Sequence, residues 1–278
     1  MTSQRTAGSV TPELVDRFEQ DGFVLVPDLL TADELDHYTP LVTEAVSARN
    51  AGDDRPLSER SRYEQSFRQC MNLWEDFPGV RPLTFHPRIA EAAATLLRED
   101  GVRVWHDQAL YKEAGGRETD AHQDQPYWPI VEPRTVTAWI PLDGADRASG
   151  CMAYVPGSHR SGIRRFIDIF GVFGPEPEDL LADPAITGVE PVYTEVPRGA
   201  VAFHHGLTAH LAGANTTEHD RRVHTVIYFA DGCTRRGGKL GHFAVDRPGI
   251  ERGAVIASDL TPLAWPCPEG DHPPSPTC

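Results

Sequence analysis

His122 and Asp124, in Ala121-His122-Gln123-Asp124, stand two residues apart. On an extended backbone they project to the same side and present an imidazole and a carboxylate to one point. A further histidine would complete a two-histidine, one-carboxylate set, which holds non-haem Fe(II) and leaves coordination positions open. His210, downstream of the apolar stretch Ala200-Val201-Ala202-Phe203, could supply it. Arg221 follows 11 residues later and opens a run containing Val223, Val226, Ile227 and Phe229. A guanidinium directed into an apolar barrel is costly unless a carboxylate arrives to pair with it. A small dicarboxylate co-substrate that also chelates the metal would meet that need. Arg222 competes for the role, but its adjacent strand position should turn it to the other face.

Other side chains invite assignment less directly. Gln108 and Tyr111, on the strand before the metal motif, are candidate contacts to the co-substrate. His106 and Asp107 are neighbours in sequence and should point to opposite faces. His204 and His205 lie close to His210, and the plainer expectation is barrel-mouth histidines satisfied by backbone. Trp105, Tyr127 and Trp128 either line a cavity or pack a core.

Composition bounds the rest. The chain has 278 residues and a formal net charge of −15, which argues against nucleic acid as a partner, because no broad basic face is available. Five cysteines, an odd number without close metal-type pairs, suit free thiols in a reducing compartment rather than a zinc ribbon. No apolar leader or membrane-length run is visible, so a cytoplasmic protein with no membrane partner is expected. The 24 glycines and 24 prolines point to a turn-rich β fold rather than a helical bundle.

The elements that must position these residues follow from local signals. Thr11-Pro12 with Leu14, Val15 and Phe18 predicts a first helix, stopped at Asp21-Gly22 and followed by a short strand from Phe23 to Pro27. Thr31 and Glu34 form a capping-box pattern ahead of a helix to about Ala48. A third helix runs from Pro87 to Glu99, with Ile89, Ala92, Ala93, Leu96 and Leu97 on its apolar face. Residues 51–82 are polar with scattered aromatics (Tyr63, Phe67, Trp74, Phe77) and carry no clear pattern. Strand-like runs lie near 102–112, 134–142, 150–155, 192–203 and 222–230. Helices first and strands later predict an α+β fold with an antiparallel core. One domain over 1–265 is expected, with a lid-like insertion about 160–190 and a proline-rich tail, 266–278.

Together these stretches resemble the phytanoyl-CoA dioxygenase (PhyH-like) branch of the Fe(II)/2-oxoglutarate oxygenases. The resemblance runs through Phe18 to Pro27, Leu30 to Leu35, His122-Gln123-Asp124, Thr137 to Asp143, Ser149 to His159, and His210 through Asn215 to Arg221. It implies a double-stranded β-helix (jelly roll) with helices packed outside. It places the metal ligands on His122, Asp124 and His210, and the 2-oxoglutarate arginine on Arg221. Trp139 matches a position lining the co-substrate pocket, and His159 falls in a structural turn. Ala212 stands where the family often carries Ser, a departure that bears on one co-substrate hydrogen bond and not on the triad. An intact Asp124 argues against the halogenating relatives. The expected activity is oxidation of an unactivated C–H bond of a small molecule, using Fe(II), 2-oxoglutarate and O2. Two rivals stay open: a metal-containing jelly-roll module that binds or senses without turnover, and a zinc hydrolase. Scattered Arg160, Arg164 and Arg165 are the only candidates for the phosphates of an acyl-CoA.

Overall fold

In the computed structural model, which describes residues 8–169, 180–238 and 240–267, the helix signals act as expected. Helix α1 (Pro12–Asp21) buries Val15 and Phe18 and ends at Gly22, whose φ of 81° lets its N–H reach the Phe18 carbonyl at 2.8 Å. A Cβ at Gly22 would also lie 2.4 Å from the His159 ring and 2.5 Å from the Thr208 hydroxyl, so only glycine fits there. Strand β1 (Phe23–Val26) starts at once. The capping box of α2 (Ala32–Arg49) forms: Thr31 Oγ1 accepts from the Glu34 N–H, and Glu34 accepts from the Thr31 N–H at 2.8 Å.

The unassigned stretch holds β2 (Arg68–Met71) and two single-turn helices, α3 (Leu73–Asp76) and α4 (Arg81–Thr84). Helix α5 (Pro87–Leu97) packs its Ile89, Ala92, Ala93 and Leu96 inward. There follow β3 (Val102–Lys112), β4 (Thr119–His122), β5 (Thr135–Pro141), β6 (Met152–Tyr154), β7 (Val192–Thr194), β8 (Val201–His205), β9 (His210–Ala212) and β10 (Arg221–Ala230), then α6 (Phe243–Asp246) and β11 (Leu263–Trp265). The run expected over 192–203 is thus two strands, β7 and the beginning of β8, split at Pro197-Arg198-Gly199. The centre of the expected lid, 170–179, and the tail from 268 lie outside the described residues.

The strands form two antiparallel sheets, a jelly roll. The larger is ordered β1-β8-β5-β10-β3-β11, with β2 also on the β3 edge; the smaller is β4-β9-β6-β7. Helices α1, α2 and α5 cover the outer face of the larger sheet through a core including Leu35, Tyr38, Val42, Ile89, Val136, Ala138, Val226 and Tyr228. Its inner face meets the smaller sheet through Phe23, Trp139, Val223, Met152, Tyr154 and Ala212. A bulge decides which β3 side chains look inward. Ile227 pairs with His106 and Tyr228 with Val104, leaving Trp105 unpaired. Val102 and Val104 therefore share the helix-covered face with Ala109 and Tyr111, while His106, Gln108 and Leu110 turn to the interior.

Candidate functional site

Between the sheets lies a cavity of about 410 Å³ whose walls include His122, Asp124, His210, Trp139, Gln108 and Arg221. His122 and His210 face each other across β4 and β9, where they are register partners. Thr119 pairs with Ala212, two residues from His210 on β9, whereas three separate Thr119 from His122 on β4. This bulge lets both Thr119 and His122 point inward. Strand alternation does not carry Asp124, contrary to the sequence expectation. The strand ends at His122, and Asp124, at φ −77° and ψ −41°, opens a tight turn that swings its carboxylate back toward both imidazoles.

The donor atoms are arranged for one cation. Asp124 Oδ1 lies 3.7 Å from His122 Nε2 and 3.6 Å from His210 Nε2, and the three ligand atoms fall within 4.8 Å of one another. Each imidazole is fixed by its other nitrogen. His122 Nδ1 donates to the Asp120 carbonyl at 2.8 Å, and His210 Nδ1 to the Thr208 carbonyl at 2.9 Å. Both Nε2 lone pairs are thereby left facing Asp124, as metal ligation requires. Burial first, then the mutual proximity of the rings, holds the His122 imidazole down to about 4; burial likewise holds His210 to about 4. Burial would raise the Asp124 carboxyl, but His210 and the hydrogen-bonded His204 outweigh it and keep the carboxylate ionised. Two neutral imidazoles and one carboxylate, opening on a cavity, form a donor set suited to Fe(II).

His204 corrects an expectation. His205 is satisfied by backbone, accepting from the Leu207 N–H, but His204 Nε2 lies 3.1 Å from Asp124 Oδ2. Thr137 Oγ1 donates to the same oxygen at 3.0 Å. Oδ2 is thus occupied and Oδ1 alone faces the metal position. His204 and His210 come from successive strands, β8 and β9, in facing sheets, and both turn into the cavity.

Arg221 is 4% exposed and has no carboxylate partner among the described residues. Its Nη1 donates to the Gly150 carbonyl at 2.6 Å, its Nε has no partner, and its guanidinium lies 5.3 Å from the Trp139 ring. Burial lowers it to about 10, so it remains charged at neutral pH. Lys112, its register partner on β3, is fully buried and donates to the Arg117 carbonyl; burial, then Arg221, lowers it to about 6. A buried guanidinium without a counter-ion costs several kcal/mol, on the order of the penalty for any desolvated ion, until an anion arrives. The site therefore fits a carboxylate ligand. Arg222, turned outward as expected, pairs bidentately with Asp143 at 2.7 Å.

Gln108 lines the cavity. Tyr63 donates to Gln69, and Gln69 donates to Gln108 Oε1, which leaves the Gln108 amide NH2 directed to the open space. Tyr111 does not belong to the site: its side chain packs on the helix-covered face with its hydroxyl 3.0 Å from Thr43 Oγ1. Three residues from Gln108, it could not share that face on a strand. Tyr127 and Trp128 line the cavity, whereas Trp105 packs edge-on against Phe229. His159 sits in its turn, 3.2 Å from the Glu19 carbonyl. Arg160 is engaged by the Gln20 carbonyl and Arg164 by Asp183, so neither is poised for phosphate. Sequence reasoning missed Gln69 and Met71 on β2 and His242 and Phe243 at α6, all wall residues.

Among the described residues no helix is long and apolar enough to cross a membrane. The family model for phytanoyl-CoA dioxygenase (PhyH) matches residues 18–223. Methylphosphonate hydroxylase of Gimesia maris is 25% identical over 224 residues, 80% of this chain and 82% of that protein. The matches to the mouse and rat phytanoyl-CoA dioxygenase domain-containing protein 1 span about half the length of those proteins. In three dimensions the chain is similar to the non-haem α-ketoglutarate-dependent carbocyclase SnoK from nogalamycin biosynthesis, with a TM-score of 0.75 and 28% identity over 91% of this chain and 96% of that one. It is similar to the epimerase SnoN in complex with Fe3+, α-ketoglutarate and nogalamycin RO, with a TM-score of 0.73 and 27% identity over 91% and 97% of the two chains.

Proposed function

Because the chain belongs to the phytanoyl-CoA dioxygenase family, non-haem oxygenases that use Fe(II), 2-oxoglutarate and O2, we propose that it hydroxylates an unactivated C–H bond of an uncharged, ring-bearing small molecule of secondary metabolism, releasing succinate and CO2. The observation that carries this is the meeting, on one cavity, of three ligand atoms within 4.8 Å and a buried arginine with no carboxylate of its own. We assign residues 1–265 to one oxygenase domain.

His122, Asp124 and His210 would hold the iron, with Thr137 and His204 restricting Asp124 to one ligating oxygen. Arg221 would hold the distal carboxylate of 2-oxoglutarate against Trp139, and the Gln108 amide would donate to the same co-substrate. Bound iron, with co-substrate and O2, supplies the oxidising power for a bond that acid–base groups cannot break. The chain supplies position and a dry wall.

The substrate class follows from that wall. Tyr63, Phe67, Met71, Phe166, Ile169 and Phe243 supply much of the remaining wall, and Arg221 is the one Arg or Lys among the described lining residues. A phosphonate or an acyl-CoA would require cations that this wall does not offer. An apolar, flat molecule suits it, in keeping with the nogalamycin named for both structural neighbours. A binding module without turnover would have no use for an unpaired Arg221 beside the ligand set.

The test is anaerobic loading with Fe(II) and 2-oxoglutarate, followed by O2 and measurement of succinate. His122→Ala and Asp124→Ala should each abolish Fe(II) binding and succinate formation. Unchanged metal affinity in both would overturn the assignment.

A further inference from the structure

Two imidazoles in the cavity wall take no part in holding iron or co-substrate. His106, from the bulge of β3, and His242, which caps α6, stack with ring centroids 5.4 Å apart and an interplanar angle of 24°. Trp105 stacks on the other ring of the pair, 4.4 Å from His242. His106 Nδ1 faces the Asp107 carbonyl at 3.2 Å, and a carbonyl can only accept, so the proton sits on Nδ1 and Nε2 carries a lone pair. His242 is the reverse. Its Nδ1 accepts from the Ala244 N–H at 3.2 Å, so a neutral ring carries its proton on Nε2. Burial, the first cause for both, lowers His106 to about 4 and His242 to about 2, which keeps both rings neutral.

Among the described residues neither Nε2 has a hydrogen-bond partner, and neither is among the partnerless atoms sealed away from solvent. Both rings line the cavity, in a wall otherwise dominated by aromatic and aliphatic groups. The backbone has therefore written one acceptor and one donor, side by side, into an apolar surface. Resting on the oxygenase reading for the location of the substrate, we infer that His106 and His242 form a specificity pair that recognises a hydroxyl on an aromatic substrate, His106 accepting its proton and His242 donating to its oxygen. A hydroxyl satisfies both at once, and the aromatic wall around the pair favours one carried on a ring. A hydrocarbon leaves both nitrogens dry and unpaired, and an ether satisfies only His242.

The probes are 2-naphthol, 2-methoxynaphthalene and naphthalene, titrated by tryptophan fluorescence into the Fe(II)- and 2-oxoglutarate-loaded protein under anaerobic conditions. Binding should weaken in that order, by roughly fivefold to tenfold per lost hydrogen bond. His106→Phe should abolish the preference for naphthol over the ether while leaving the ether unchanged. His242→Phe should weaken both oxygenated ligands and spare naphthalene. Because a variant at the α6 cap can disturb folding, 15N spectra of the wild-type rings give a second reading: His106 should show the Nδ1–H tautomer and His242 the Nε2–H tautomer. Equal binding of the three ligands, no binding of any, a preference that survives both substitutions, or the opposite tautomers would each overturn the pair. Failure of succinate formation with intact naphthol selectivity would instead strike the oxygenase reading alone.

Discussion

The two faces of the larger sheet both bury ionisable side chains, yet they treat them differently. On the helix-covered face the acids are held by the chain itself. Glu34, 5% exposed, receives the Thr31 N–H, His86 Nε2 at 3.2 Å and Arg88, tying α2 to the start of α5. Asp107 receives Thr84 Oγ1 at 2.7 Å and the Trp74 N–H at 3.1 Å. On the inner face, among the described residues, Arg221 lacks a carboxylate and His106 Nε2 has no hydrogen-bond partner; across the cavity the Nε2 atoms of His122 and His210, from the smaller sheet, and of His242, at α6, are likewise left open. A buried group satisfied by its own fold works for stability; one left open works for a ligand. The same sheet separates the two by the parity of its strands.

That contrast breaks most visibly at neighbouring arginines. Arg221→Ala should raise the KM for 2-oxoglutarate by on the order of a thousandfold, with iron affinity nearly unchanged and the unfolding midpoint no lower, because an unpaired buried cation has been removed. Arg222→Ala, which frees the half-exposed Asp143 and one contact to Thr43, should leave that KM within about twofold. Equal effects would show that strand parity does not divide the faces. On the outer face the order reverses. Glu34→Ala should cost roughly 3 kcal/mol of stability in urea unfolding, since it strands His86 and Arg88, while the folded fraction keeps its 2-oxoglutarate KM. Smaller still is His204→Phe, which releases Asp124 Oδ2. Iron affinity should fall about tenfold with little loss of fold; an unchanged affinity would return His204 to the core.

The sequence carried this division unevenly. The Arg221/Arg222 choice was legible because it depends on adjacent residues and on period-two alternation; His122 and Asp124 were paired on the same alternation, although a tight turn and not the strand positions Asp124. The capping box at Thr31 and Glu34 was legible from its short spacing, although nothing local announced that Glu34 would also meet His86 and Arg88. The Trp105 bulge was not legible, since an unpaired strand residue depends on the partner strand. Without it, His106 would be placed on the face of Val102 and Val104. Strand β2 was hidden because Arg68-Gln69-Cys70-Met71 is short and half polar, and it pairs with β3, which is distant in sequence. The far wall of the cavity is drawn from such segments and from the tight turn at His242. The reacting end could therefore be read before the end that selects the substrate.

Asp107 offers the finest test of the outer face. Burial, its dominant influence, raises its carboxyl to about 7 despite the donors Thr84 and Trp74. An unfolded aspartate titrates near ~3.9. Between those values the folded chain keeps a proton that the unfolded chain has lost, so this group's contribution to stability falls as pH rises from about 4 to about 7. His224, beside Thr84 Oγ1 at 3.1 Å, acts in the opposite sense. Burial lowers it to about 3, so below the ordinary histidine range the unfolded chain takes up a proton that the folded chain refuses. The bare pH profile mixes the two, and the difference between proteins separates them. Asp107→Asn keeps an oxygen that can accept from Thr84 and Trp74 but cannot ionise. Urea unfolding of the metal-free forms should show the variant gaining on the order of 2.5 kcal/mol on the wild type between pH 5 and pH 8. The gain should level off above pH 8, where the wild-type carboxyl is ionised in both states. A difference independent of pH would mean that Asp107 is ionised throughout, held by its donors strongly enough to overcome burial.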